Sequence, residues 1–516
     1  MAVERIVCSD WSGGQSPRLA AHQFSERQWA SLRGVVIEDQ TRVRSQWPCQ
    51  KVGSETGFDE LGTVRGRNVA RKPDGTFWWS PLLLSGATYT QGRDHTWTQL
   101  TEISPDPDLH IVCQAPLIRD SGVGFQEALI LNGRDRNGPA YALYPSGVNT
   151  GGEMNVHTFA EWPEDSNAED DGWMPPANIG TMWGDFLVLG DIKWLANEDS
   201  PISATNNRNH PNLLWFSDPT DIGKWDVLDT VPVAFYDDIG SGSITVRDAQ
   251  QVDAGLMVIT HSGAALLRGT ADDHTVEPLR AGTGAARSNC ATYWSQTGTV
   301  CWIDAGGRLW STNGEEFVRL NEGTALPARK DVATEVAAIM EYLLVAHQDG
   351  RLLYVRALEE EGVWGELIPG GANPHSFVVT GGVVNWLDDA GQVWRFTMAH
   401  TRDDERGLVD GAQVDLRIAT RTVQRGGGHH KTFHHRCGVR GHGPGTLETL
   451  TLRPGPALGD DQPKLEHTLG RSLDDRDELV VRSFGPAVES SADLTLRGDI
   501  QVEGVTFYIH EGRGSR

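Results

Sequence analysis

Between residues 184 and 397 the sequence repeats one pattern of hydrophobic and polar positions. Each copy is a short apolar run, then a polar turn that usually carries glycine, then a second apolar run. Five copies are clear, at residues 186–192, 256–267, 300–310, 343–355 and 383–396. Apolar runs of this length separated by glycine-containing turns are typical of β-hairpins. The pattern therefore predicts a series of antiparallel hairpins.

The hairpins recur at a nearly constant interval. From Met257 to Val300, Leu343 and Val383 the steps are 43, 43 and 40 residues, which is the length of one four-stranded blade of a β-propeller. The sequence thus predicts an all-β fold with a β-propeller over residues 61–398, of about seven blades or fewer, beginning near Gly75. A further hairpin is predicted at residues 128–144, and two insertions at 161–171 and 206–211.

The residues before and after the predicted propeller follow different sequence patterns. Residues 1–60 are predicted to form an N-terminal arm, with a short helix over 25–32 and a strand hairpin over 35–43. In residues 399–516, short segments alternate apolar and polar positions at 414–423, 447–452, 479–484 and 494–509, the last broken at Glu503 and Gly504. Period-two alternation predicts an appended C-terminal β-sandwich. We expect proteolysis near Arg402 to Arg406 to release it as a stable fragment.

Tryptophan content and charge both change at the predicted boundary. All 18 tryptophans lie between Trp11 and Trp394, and the formal net charge of −25 comes mainly from residues 1–398, with 29 Lys and Arg against 52 Asp and Glu. Residues 399–516 hold 16 against 18. Affinity for nucleic acid comes from Lys and Arg, so tight binding is not expected. The acidic surface fits simple solubility, and equally a DNA that slides past without sticking.

Targeting signals and disulfide patterns are not evident in the sequence. No apolar stretch approaches the ~18 residues of a membrane span, and the N-terminus lacks a signal-peptide core. A soluble protein is therefore expected. The cysteines show no CxxC pair, which predicts buried reduced thiols made in a cytoplasm rather than a disulfide framework. The six are Cys8, Cys49, Cys113, Cys290, Cys301 and Cys437.

A histidine cluster resembles a metal site by composition. It comprises His429, His430, His434, His435 and His442. On a strand, positions 430 and 434 share a face but stand about 13 Å apart, too far for two ligands of one zinc ion. The preceding glycine run disfavours a helix, so we expect a surface strand at a subunit contact. The acidic stretch 161–171 lacks the DxDxDG order of a calcium loop. No metal and no cofactor are predicted.

Catalytic motifs are likewise not found. The sequence has no GxSxG, no P-loop and no HExxH. The sialidase-type repeat Ser-x-Asp-x-Gly-x-Thr-Trp fails near Asp94 and Trp97, because Gly92 stands where the aspartate should be. Carboxylate pairs for glycoside cleavage are always available among 70 acids and so indicate nothing. The sequence predicts a protein that is not an enzyme, with no catalytic residues.

Residues 214–226 carry the one motif with a family likeness. They form a predicted strand, a turn at Ser217, Asp218 and Pro219 whose short side chains can bond their own backbone, and Trp225 folded back on the blade. This segment resembles one that recurs in β-propeller virion proteins of tailed bacteriophages, a group of tail-nozzle, DNA-stabilisation and minor tail proteins. In that group a stretch like residues 255–263 and a C-terminal β-sandwich follow. The likeness is detailed over residues 180–320.

That resemblance implies a structural component of a phage tail, located in the virion. The protein would assemble with copies of itself as a homo-oligomer and with neighbouring tail proteins, lining the DNA exit path or building the tail tip. The alternative is a glycan- or host-receptor-binding propeller in which Trp97, Trp173 or Trp364 stacks on sugar rings, although blade core is the favoured interpretation of each. A glycoside hydrolase on the same scaffold is a third hypothesis.

Overall fold

The computed structural model shows an all-β protein. It describes residues 3–12, 29–51, 89–91, 97–104, 106, 108–117, 126–135, 138–145, 154–159, 174–193, 209–232, 244–288, 290–320, 333–358, 361–380, 383–390, 392–398, 405–421, 423–424, 432–453, 464–473, 478–482 and 489–511. Within these ranges the regular elements are strands. The same ranges contain no helix that is long and apolar enough to cross a membrane.

Seven short strands come before the first complete blade. They are β1 (Val3–Cys8), β2 (Ser31–Arg33), β3 (Val35–Asp39), β4 (Arg42–Ser45), β5 (Cys49–Lys51), β6 (Tyr89–Gln91) and β7 (Trp97–Gln99). Strands β6 and β7 form a separate two-stranded pair. The predicted start of the blades at Gly75 lies outside the described residues.

The next 23 strands build the blades. Blade one comprises β8 (His110–Leu117), β9 (Gln126–Asn132), β10 (Tyr141–Pro145) and β11 (Met154–Thr158); blade two β12 (Ala177–Trp183), β13 (Phe186–Lys193), β14 (Asn209–Asp218) and β15 (Asp221–Pro232); blade three β16 (Val246–Val252), β17 (Gly255–Thr260), β18 (Gly263–Gly269) and β19 (His274–Ala281). Blade four comprises β20 (Thr292–Trp294), β21 (Thr299–Ile303), β22 (Leu309–Thr312) and β23 (Phe317–Arg319); blade five β24 (Ala333–Ile339), β25 (Tyr342–His347), β26 (Leu352–Leu358) and β27 (Glu361–Leu367); blade six β28 (His375–Thr380), β29 (Val383–Leu387) and β30 (Val393–Thr397).

Ten strands follow the blades. They are β31 (Leu408–Val409), β32 (Ala412–Gln413), β33 (Leu416–Ala419), β34 (Val423–Gln424), β35 (Thr432–His442), β36 (Thr446–Arg453), β37 (Leu465–Ser472), β38 (Leu479–Arg482), β39 (Glu489–Arg497) and β40 (Gln501–Glu511). Strand β40 continues through Glu503 and Gly504, but its register against β35 shifts there, with Arg440 opposite Gly504 and Gly441 opposite Val502. The predicted break in alternation is a β-bulge. The predicted segment is divided at Gly498, whose φ of 75° favours glycine.

The blades are arranged radially, as the hairpin spacing predicts. Each is an antiparallel meander, and the first strands of successive blades, from β8 through β12, β16, β20 and β24 to β28, pack against one another in order. The hairpins at residues 256–267, 300–310, 343–355 and 383–396 occupy β17–β18, β21–β22, β25–β26 and β29–β30, one in each of four consecutive blades. The β-propeller is therefore confirmed, with six blades in the described part of the chain.

One predicted hairpin is wrong. Residues 186–193 form the single strand β13, and the predicted turn at Gly190 and Asp191 is a shift of register against β14. Asp191 has a φ of 55°, and its carboxylate accepts hydrogen bonds from Arg134 at 2.7 Å and Asn178 at 2.8 Å. These bonds hold a β-bulge, in which one residue in the left-handed region mimics a turn signal without reversing the chain.

The N-terminus completes the sixth blade. Strand β5 pairs with β30, with Cys49 opposite Phe396, and supplies the fourth strand that the sixth blade lacks. Gln46, which is fully buried, reinforces this position: its side-chain amide donates to the carbonyl of Ile368 at 2.9 Å and accepts from the Ile368 amide at 2.7 Å. Two distant parts of the chain therefore share one blade.

The N-terminus also enters the C-terminal sheets. Strands β1 and β4 both pair with β40, which pairs with β35, while β3 pairs with β4. Strand β2 pairs with β33 in a second sheet with β39, β36 and β37, and it joins blade five through a single parallel bridge from Arg33 to Glu366. The predicted division at residues 60 and 398 stays a prediction, and the strand pairings cross both positions.

The hairpin predicted at residues 35–43 is confirmed as β3 and β4, whereas Leu32 lies in strand β2 and not in the predicted helix. Residues 25–28 of that helix lie outside the described residues. Pairing with β33 buries Leu32 completely, so tertiary contacts decide the conformation at this position and the local cap signal does not.

A buried aspartate holds the turn in two of the hairpins. In blade four, Asp304 accepts from the amides of Gly306 and Arg308 and from the indole of Trp310 at 2.9 Å. In blade six, Asp388 accepts from the amides of Ala390 and Gln392 and from the indole of Trp394 at 2.9 Å. The shared spacing Asp-x5-Trp thus ties each turn to the strand that leaves it.

Candidate functional site

The central axis of the propeller encloses a cavity of about 390 Å³. All six first strands contribute to it, so the cavity exists only because the blades are arranged in a ring. The residues that line it are Ile111, Val112, Cys113, Gln114, Gly180, Thr181, Met182, Asp248, Gln250, Gln251, Ala291, Thr292, Tyr293, Ala337, Phe377 and Val379.

The polar groups of this lining are mainly amides and hydroxyls. Gln114, Thr181, Gln250 and Thr292 are half-buried at the same axis. Space is tight where the first two blades meet, because a Cβ on Gly180 would lie 3.1 Å from both Cys113 and Val112. The cavity therefore presents neutral hydrogen-bonding groups over an apolar wall. The sequence signal for this cavity is the presence of polar residues on the first strands of the blades. One strand by itself does not show that six first strands surround a common axis.

The only carboxylate among these lining residues is Asp248, and its oxygens are engaged in structure. One oxygen accepts from the Ala249 amide at 2.8 Å and the Gln250 side chain at 3.0 Å, and the other accepts from the Ala291 amide at 2.7 Å. Asp248 is only 3% exposed. The side chain thus binds blade three to the start of blade four.

Cys113 is the one thiol in the cavity lining, and burial raises its pKa far above the ordinary range. Burial also raises the pKa of Cys301 to about 11. A thiol must ionise to act as a nucleophile. At neutral pH both thiols therefore stay protonated and behave as apolar core groups.

We expect the folded protein to react slowly with a thiol reagent at pH 8. All six cysteines are buried. Burial raises the pKa of Cys49, Cys113, Cys301 and Cys437, which keeps their thiolate fraction small until the pH approaches that pKa. A disulfide-exchange reagent should count about six thiols in denaturant and far fewer in the native protein. Rapid native reaction of several thiols at pH 8 would contradict the buried placement.

The tryptophans proposed for sugar stacking divide into two groups. Trp364 is 4% exposed and packs in the core shared by blades four and five, so the prediction that it stacks on a glycan is wrong. A ring enclosed on both faces cannot receive a sugar. Trp97 begins β7, but its side chain lies outside the described residues, as does the whole of Trp173. The segments at 92–96, 161–171 and 206–208 lie outside them too.

Part of the histidine cluster lies on β35, as a strand rather than a helix. His434 pairs with Ile509 and His442 with Gln501, and β35 has β40 on one side and β38 on the other. Exposed His442 has Nδ1 3.6 Å from the carboxylate of Glu503. His429 and His430 lie outside the described residues. Among the described ones, no group of three potential metal ligands occurs.

The Ser217 corner has the predicted geometry. Asp218 closes the turn by accepting from the Thr220 amide at 2.7 Å, and fully buried Ser217 accepts from the Leu187 amide at 3.0 Å. Trp225 packs edge-on against Trp215 with ring centroids 6.1 Å apart. The tryptophan does fold back on blade two, and the polar side chains of Ser217 and Asp218 form hydrogen bonds within the blade.

Comparison with known proteins gives similarity of fold only. No protein-family model matches the sequence, and no curated protein matches it. Among solved structures, BamB from Moraxella catarrhalis is 16% identical, with 65% of this chain and 99% of that chain covered and a TM-score of 0.37.

Two further structures are similar at the same level. YCF48 from Cyanidioschyzon merolae is 12% identical, covering 68% of this chain and 98% of that chain with a TM-score of 0.41. The extracellular domain of the two-component system BT4673 from B. thetaiotaomicron is 12% identical, covering 82% of this chain and 48% of that chain with a TM-score of 0.41. At these values the likeness supports no inference about a ligand or partner.

Proposed function

We propose that this protein is a rigid docking scaffold and, more specifically, a structural component of the tail of a tailed bacteriophage. The observation that carries the proposal is the pairing of the N-terminal strands with distant parts of the chain. The N-terminal strands complete blade six and join both C-terminal sheets. Pairing of the N-terminal strands into these sheets covers strand edges in the described part of the chain, and closely packed sheets deform little under load.

The blade-two corner supports the tail assignment. Residues 214–226 adopt the strand, turn and returning tryptophan expected from the sequence resemblance to phage propeller proteins. The scaffold would dock against copies of itself and against neighbouring tail proteins. With a net charge of −25, it would bind duplex DNA weakly at physiological salt, because phosphate contacts need local positive charge.

Immunogold electron microscopy of purified virions tests this proposal. We expect an antibody against this chain to label the tail of every particle, and we expect particles made without the chain to lack a complete tail. A parallel labelling with an antibody against the capsid serves as the control for accessibility. Virions with complete tails that lack the protein, or submicromolar DNA binding at physiological salt, would contradict the proposed role.

A further inference from the structure

A second cavity, of about 430 Å³, lies where the N-terminal hairpin, blade five and the C-terminal region meet. Its lining contains four arginines and only two glutamates, in a chain whose net charge is −25. The residues are Val36, Glu38, Arg42, Arg44, Trp47, Met340, Glu341, Tyr342, Arg356, Met398, Arg406 and Gln501. Asp39 and Asp499, next to this lining, pair with two of the arginines. An anion site here therefore depends on an arginine that no carboxylate contacts.

Three of the arginines have carboxylate partners. Arg42 lies 2.7 Å from Asp39 and 3.4 Å from Glu38. Arg44 forms two hydrogen bonds with Asp499, at 2.9 and 2.8 Å. These pairs stabilise the hairpin and link it to the connection between β39 and β40.

The third pairing holds Arg356 of blade five. Its guanidinium lies 3.3 Å from the carboxylate of Glu341, donates to the carbonyl of Ile37, and lies over the ring of Tyr342 at 5.3 Å. Blade five is thereby tied to the N-terminal hairpin. The carboxylates around the cavity are thus matched to arginines other than Arg406.

Arg406 is the arginine without a matching carboxylate. Its Nη1 donates to the carbonyl of Ser45 at 3.0 Å, and its buried Nε has no hydrogen-bond partner. No carboxylate lies within 4.0 Å of it among the ion pairs of the described residues. Burial, followed by repulsion from Arg44, lowers the pKa of Arg406, and the more distant carboxylates of Glu38 and Asp499 offset this only in part. A partly desolvated cation that no carboxylate contacts is costly, and a bound anion would reduce that cost.

We propose that this cavity binds an oxyanion, a carboxylate or phosphate group, with Arg406 as its main donor and Arg42 at its mouth. The planar guanidinium presents parallel N–H groups that match two oxygens of such a group. Arg42 has 47% of its side chain exposed and can meet an anion that enters from solvent. The source is either a free oxyanion or an acidic side chain of a docking protein. This inference does not depend on the tail assignment.

Isothermal titration calorimetry on the full chain tests the site, with inorganic phosphate and a hexaglutamate peptide as separate probes. The first represents a free oxyanion and the second an acidic protein segment. We expect saturable binding of at least one probe, weakened about tenfold in Arg406→Gln because a charge-assisted bond is lost. The tighter probe identifies the source. The control Arg268→Gln removes an exposed, ion-paired arginine of blade three and should bind as the unchanged chain does.

A second variant keeps the test decisive if Arg406→Gln does not fold. Arg42→Gln alters an exposed side chain and should weaken binding about threefold, the loss expected of one solvent-exposed charge contact. Binding of neither probe to the unchanged chain would overturn the proposal. If Arg406→Gln folds and binds as tightly as the unchanged chain, the proposal is overturned. If Arg406→Gln does not fold, equal affinities of the unchanged chain and Arg42→Gln overturn it instead.

Discussion

Deletion of residues 1–51 is expected to unfold both the sixth blade and the C-terminal sheets. Trp11 and Trp29, stacked with ring centroids 3.7 Å apart, belong to the same hydrophobic cluster as Trp386 and Phe507. Each large apolar side chain contributes about 1.5–3 kcal/mol when buried. Removal of seven or more of them approaches or exceeds the 5–15 kcal/mol typical of a whole domain. Circular dichroism and the yield of soluble protein would report the loss.

A chain cut at one engineered protease site within residues 399–404 is the matched control. Its N-terminal strands still pair with β40 and β33, so the two pieces should elute together in gel filtration and separate only in denaturant. Sequence patterning alone predicts instead that residues 399–516 leave as a stable fragment. Separation of folded pieces without denaturant, or a folded protein after deletion of residues 1–51, would contradict the interlocked topology.

Substitution Asp388→Ala is expected to destabilise the protein by about 3 kcal/mol or more. The change leaves the indole of Trp394 and the amides of Ala390 and Gln392 without their acceptor, and an unsatisfied buried donor costs about 1–3 kcal/mol. Only 6% of Asp388 is exposed, so water can replace the lost bonds poorly. The midpoint of urea unfolding would show the loss.

The neighbouring residue provides the control. Asp389 is exposed, and its side chain bonds only to Asn373 among the hydrogen bonds described for it. Asp389→Ala should change the free energy of unfolding by less than about 0.5 kcal/mol, as surface substitutions usually do. Equal unfolding midpoints for the two variants would show that the Asp-x5-Trp turn does not stabilise blade six.

Several features of the fold could be predicted because their cause is local. Period-two apolar runs with glycine turns predict hairpins, and their 40–43-residue spacing predicts one hairpin per blade. The turn after Ser217 could also be predicted, since the hydrogen bonds of Asp218 and Trp225 join residues two or three positions apart. Local signals fail where a tertiary contact imitates or overrides them. Asp191 imitates a turn because Arg134 and Asn178 fix its bulge.

Sequence patterning by itself determined the all-β composition, the repeat and the axial symmetry that follows from it, since these depend on residues fewer than about fifty positions apart. Only the tertiary structure decided which strands the N-terminal segments pair with. Cys49 opposite Phe396, Val43 opposite Val502 and Leu32 opposite Ile418 are pairings across hundreds of residues. Neither cavity could be read from the sequence for the same reason. Gln114 reaches the axis beside strands from five other blades, and Arg406 lies at a cavity where Asp499 bonds to Arg44 from the other end of the chain. Long-range pairing depends on which surfaces can be buried together, and no local pattern encodes that choice.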